Sequence, residues 1–69
     1  MQRVETAWIE PTDEDYNLIY RVFGTSDAEV TGLLLPPGTD EETLDLEAKA
    51  LLQSMGFDVT GLDIEISTG

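Results

Sequence analysis

The run TDEETLDLEAKALLQSMG, Thr39 to Gly56, decides the fold, because it reads as an amphipathic helix with both ends marked. Thr39, followed three residues later by Glu42, predicts a capping box. In that motif the Thr hydroxyl accepts from the Glu42 amide and the Glu42 carboxylate reaches back to the Thr39 amide. Asp40, Glu41 and Glu42 fill the first turn, where carboxylates meet the positive end of the helix dipole. Gly56 predicts a left-handed cap at the other end. At about 100° per residue, Leu44, Ala48, Leu51, Leu52 and Met55 share one side, the expected core face. The other side carries Glu42, Thr43, Lys49 and Gln53, with Leu46 and Ala50 among them. Leu46 reads as an ordinary surface leucine, a loop contact or a partner contact.

Upstream of the helix, three runs read as strands. Over residues 2–10, Val4, Thr6 and Trp8 alternate with Arg3, Glu5, Ala7 and Ile9, and Pro11 ends the run. Thr12 to Asp15, TDED, is a polar turn. Tyr16 to Phe23 is rich in β-formers and apolar on both faces, which predicts a central strand. Gly24 to Ala28 carries turn residues. Glu29 to Leu35 is a third strand, with Gly32 read as a bulge or close-approach point, and Pro36-Pro37-Gly38 stops it. After the helix, residues 57–67 predict a fourth strand, better formed over 62–67, with Asp63 and Glu65 pointing to solvent. Its change of phase at Thr60-Gly61 reads as a bulge or kink.

The order βββαβ predicts an α+β fold in a single domain, residues 1–69. A three-stranded antiparallel meander is followed by a crossover helix on one face. A right-handed crossover sets strand 4 parallel to strand 3, and hence to strand 1, with which it is expected to pair.

Composition limits the chemistry. The 69 residues contain neither cysteine nor histidine. That removes disulfides, thiolate chemistry, the commonest general base and the commonest zinc ligand. No cofactor or metal site is expected. The chain has no apolar leader and no run of membrane-spanning length, so a cytoplasmic location is the default expectation.

Fifteen carboxylates against three basic side chains give a formal net charge of −12. The charge is not a tail: residues 1–38 hold seven acids and two bases, and residues 39–69 hold eight and one. A domain so charged repels nucleic acid and anionic lipid. Asp13, Asp15 and Asn17 open like a calcium loop, but Leu18 stands where its glycine is needed and Gly24 where its bidentate glutamate is needed. A solvated hairpin turn is the expectation there. Carboxylate pairs are plentiful, as in glycosidases, yet one small sheet with one helix rarely builds the concave site such catalysis needs. The serines lack a histidine to activate them, and Lys49 lies among carboxylates that keep it charged. The protein is not expected to be an enzyme.

The acidity has three readings. It is solvation chemistry suited to high salt; or it imitates nucleic-acid phosphates in a partner's basic groove; or it accompanies an ordinary interaction module, a regulatory subunit or antitoxin-like protein. Carboxylates at i and i+2 of a strand stand about 6.6 Å apart, and at i and i+4 of a helix about 6 Å apart. Those steps are close to the spacing of successive phosphates. By size and charge alone, the chain resembles phage-encoded inhibitors of host nucleases, the anti-CRISPR and anti-restriction proteins. The expected partner is a basic protein such as a nucleic-acid-binding complex or nuclease. The residues expected to meet it are Asp13, Glu14, Asp15, Glu42, Asp45, Leu46 and Glu47. Of these, Leu46 matters most if the protein is an interaction module, since apolar anchors carry interface energy.

Overall fold

The fold was obtained as a computed structural model and is described for residues 1–67. Its elements are β1 (Val4–Pro11), β2 (Tyr16–Val22), β3 (Glu29–Leu33), α1 (Glu41–Ser54) and β4 (Ile64–Ile66). One mixed sheet has the order β3-β2-β1-β4, an α+β arrangement with the helix packed on one face. The meander pairs antiparallel, and β4 returns parallel to β1 through Ala7↔Ile64 and Ile9↔Ile66.

Leu18, Tyr20 and Val22 are the face of β2 that meets the helix, together with Tyr16. On β1 the strict alternation expected from sequence does not hold. Val4 pairs with Val22 and Thr6 with Arg21, so Glu5 is an extra residue bulged out of the ladder. A bulge resets the phase of every side chain beyond it. Val4 therefore joins Ala7 and Ile9 on the helix side, while Thr6 and Trp8 face away. Gly32, in contrast, pairs in plain register with Asn17, so β3 has no bulge there.

From the helix, Leu44, Ala48 and Leu52 are buried against this face, and Leu51 is half-buried. Met55 lies at the edge of the stripe and is 39% exposed. Ile9, Leu18, Leu44 and Leu52 are the largest fully buried side chains. Burial of each contributes about 1.5–3 kcal/mol.

The helix entrance differs from the expected capping box. Asp40, not Thr39, is the N-cap, and its side chain closes no cap bond. The Thr39 hydroxyl instead donates to the Pro36 carbonyl at 2.6 Å, and the Thr39 amide points to the same oxygen at 3.3 Å. Thr39 thus lies one residue before the N-cap, with its hydroxyl turned as a donor toward the Pro-Pro-Gly turn. At the exit, Gly56 (φ 92°) donates to Gln53 and Phe57 to Leu52, the left-handed stop expected from sequence.

The fourth strand is also shorter than residues 57–67. Asp58 makes an isolated parallel bridge to Arg3, and the chain then turns, with the Leu62 amide donating to Val59. The Asp58 carboxylate accepts from the Thr60 amide at 2.9 Å and its hydroxyl at 2.6 Å. That Asx turn explains the phase change at Thr60-Gly61: it is a turn between two contacts with β1, not a bulge within one strand. Asp63 and Glu65 are exposed, as their alternation with Leu62, Ile64 and Ile66 predicts.

Candidate functional site

The β1–β2 turn is closed locally. Thr12 donates its amide to the Asp15 carbonyl and its hydroxyl to the Asp15 carboxylate at 2.7 Å, while accepting from the amides of Glu14 and Asp15. These bonds explain the TDED sequence as turn chemistry and leave the Asp13 and Glu14 side chains exposed.

This turn and the helix entrance occupy the same end of the domain. The Tyr16 hydroxyl accepts from the Gly38 amide at 3.1 Å. A cleft of about 260 Å³ between them is lined by Pro11, Tyr16, Thr39, Glu41, Leu44 and Ile66 among others. Asp13, Glu14 and Asp15 thus share one pole with Asp40 at the N-cap and with Glu41 and Glu42 of the first helical turn. The amide and hydroxyl of Thr43 hold the Asp40 carboxyl below its ordinary range, the hydroxyl contributing most, although the geometry falls short of a full cap bond.

The remaining expected site residues are divided. Asp45 is half-buried and paired with Lys49 at 3.1 Å, one helical turn apart, so its charge is largely answered. Leu46 is 60% exposed on the outer side of the helix. Glu47 lies on the flank toward β3, lining a groove of about 390 Å³ with Leu34, Leu35, Ala50 and Leu51. Asp45 and Glu47 therefore point to opposite flanks, and no single surface presents all seven residues equally.

All three cationic side chains are engaged away from the acidic pole. Arg3 donates to the Thr60 carbonyl at 3.2 Å and lies 5.6 Å from the Phe23 ring centroid. Arg21 pairs with Glu5 of the bulge, and Lys49 with Asp45. The pole's carboxylates consequently face solvent without an opposing cation. Among the described residues, no group of three or more carboxylates is arranged to hold a metal ion, and no helix is long and apolar enough to cross a membrane.

Two surfaces escaped the sequence reading. The first is the sheet face away from the helix, where Trp8, Ile19 and Val30 stand in register across β1, β2 and β3. Ile19 is only 6% exposed yet lies outside the helix-side core, and Val30 is 64% exposed. The apolar residue in the minority phase of β2 was the available signal. Beside this stripe, Arg21 has a buried Nε with no hydrogen-bond partner among the described residues. The second surface is the groove around Leu34, which is 84% exposed. The Leu35 amide donates to the Leu33 carbonyl, a tight turn that swings Leu34 outward.

Comparison with protein-family models, curated proteins and solved structures finds no match to this chain.

Proposed function

We propose that this is a non-enzymatic acidic binding protein that occupies a basic, nucleic-acid-binding surface of a partner protein. The observation that carries the reading is the acidic pole. Two separate segments, 13–15 and 40–42, bring six carboxylates to one end of a small rigid body, while each cation is engaged elsewhere. Carboxylates fixed on a hairpin and a helix start carry little ordering cost on binding and steer a basic partner by their field. Inhibition of a nuclease or restriction complex by nucleic-acid mimicry, as in phage anti-CRISPR proteins, is the form of this function that the charge and size favour.

The test is capture from host lysate with the wild-type protein, D13K/E14K/D15K and L46D, eluted in parallel with salt and with duplex DNA. A basic, nucleic-acid-binding protein released by DNA, retained by L46D and lost from the triple-lysine variant supports the proposal. Recovery of the same partner by the triple-lysine variant sinks it.

One observation favours a second reading, an interaction module whose acidity is solvation or high-salt adaptation. Leu46 is 60% exposed on the outer side of α1, and Leu34, 84% exposed, lines the groove between α1 and the end of β3. On that reading L46D loses the partner and the triple-lysine variant keeps it.

A further inference from the structure

The opposite end of the domain carries a different kind of site. β2 runs from the acidic pole to Val22, and Tyr20 near its far end packs against Phe57, just beyond the helix. Their ring centroids are 5.4 Å apart and the planes are inclined by 56°. Beside them is a recess of about 360 Å³ to which Gln2, Asp27 and Glu29 also contribute. Glu29 is the cross-strand neighbour of Tyr20 and therefore shares its face of the sheet.

Three independent features give this recess a negative character. Asp27 and Glu29 are exposed carboxylates on its wall. Tyr20 and Phe57 contribute aromatic surface, whose electron-rich faces attract cations. Phe57 is bonded through its amide to the Leu52 carbonyl at the end of α1, so the negative end of the helix dipole lies alongside. The last turn of α1 holds no basic residue to answer that dipole. Tyr20, 8% exposed, gives the recess a fixed wall. The cationic side chains next in sequence to the lining are committed elsewhere, Arg3 to Thr60 and Phe23 and Arg21 to Glu5, and the N-terminal amine acts on Asp58.

We infer that the recess formed by Tyr20, Phe57, Asp27 and Glu29 binds an alkylammonium group. An aromatic wall with carboxylates beside it suits a cation that is bulky and partly apolar better than a bare metal ion, which needs converging oxygen ligands. The group is carried either by a free organic cation or by the lysine side chain of another protein. The site lies away from the acidic pole and does not depend on the function proposed for that pole.

The experiment is an NMR titration of the ¹⁵N-labelled protein at fixed ionic strength. The probes are acetyl-lysine methylamide, its Nε-trimethylated form, choline, and acetyl-norleucine methylamide as the uncharged control. Saturable shifts at the amides of Tyr20, Asp27, Glu29 and Phe57 with the ammonium probes, absent with norleucine, are expected. D27N and E29Q change exposed residues and leave the fold intact; together they are expected to weaken binding by about tenfold, roughly the loss of one screened charge interaction. Tighter binding of choline than of the lysine probes identifies a free cation as the ligand, and the reverse identifies a protein side chain. Equal shifts with norleucine, no saturation, or binding unchanged in D27N/E29Q overturns the inference, whatever the acidic pole binds.

Discussion

The hydroxyl of Tyr16 and the amide of Gly38 meet at 3.1 Å, tying the first residue of β2 to the loop that delivers the helix. Tyr16→Phe keeps the buried ring and strips the amide of its acceptor, which costs about 1 kcal/mol. Urea denaturation reads this as a lower midpoint at unchanged slope. An unchanged midpoint contradicts the role given to this bond.

Leu52 and Leu46 stand on opposite sides of the helix and make a contrasting pair. Leu52 is fully buried, so Leu52→Ala is expected to cost about 2–5 kcal/mol through lost transfer energy and a cavity. Leu46 is 60% exposed, so Leu46→Ala changes stability by no more than about 0.5 kcal/mol. Denaturation of both variants checks the orientation of α1. Equal losses contradict the assignment of its inner face.

That orientation was legible in the sequence because burial follows the 3.6-residue period, and Leu44, Ala48 and Leu52 fall on it. The strand order was legible too, since turn residues and the crossover rule leave few ways to join four strands. What escaped depends on contacts between distant residues. The claim of Pro36 on the Thr39 hydroxyl is a matter of loop geometry that the pattern Thr-x-x-Glu does not encode. The bulge at Glu5 is settled by pairing with Val22 and Arg21 across the sheet, and the alternation within β1 alone points to the wrong face for Val4. For the candidate site, the sequence identified the carboxylates one by one. It could not reveal that the β1–β2 turn and the helix entrance lie at one end of the domain, because that arrangement is made by Tyr16 and Gly38, which carry no charge.

Gly56 ends the helix at φ 92°, with nothing within 4 Å of the position a Cβ would take. The cost of Gly56→Ala is therefore conformational, about 1–2 kcal/mol for a left-handed residue, with no steric clash to add. Thermal denaturation is the check. A neutral substitution shows that the exit turn relaxes freely.

Asp58 carries a pH-dependent contribution. The hydroxyl and amide of Thr60 hold its carboxyl below the ordinary value, with smaller help from Arg3 and the N-terminal amine. A carboxyl depressed in the folded state stabilises above its unfolded pKa and loses that contribution as pH falls through the folded pKa. Wild type is therefore expected to melt higher than Asp58→Asn near neutral pH, with the gap closing as pH falls below the ordinary aspartate range of about 3.9. A gap independent of pH shows that the Asx turn works equally well with the amide.

The net charge of −12 makes a further expectation global. Self-repulsion is screened once the Debye length falls from about 30 Å at 0.01 M to about 3 Å at 1 M salt. The melting temperature is expected to rise over that range. A melting temperature indifferent to sodium chloride shows that repulsion between the dispersed carboxylates is already weak, and it counts against adaptation to high salt.

The bulge at Glu5 leaves Trp8 on the sheet face that the helix does not cover, half-buried, with its indole N–H donating to Glu10 at 3.3 Å. As the only tryptophan in the chain, it is a built-in optical label for that face alone. A molecule settling over Trp8, Ile19 and Val30 dries the indole and moves its emission to the blue. One that docks at the acidic pole or in the Tyr20 recess leaves the emission where it was. A single fluorescence spectrum thus sorts any binder by the side of the sheet on which it lands.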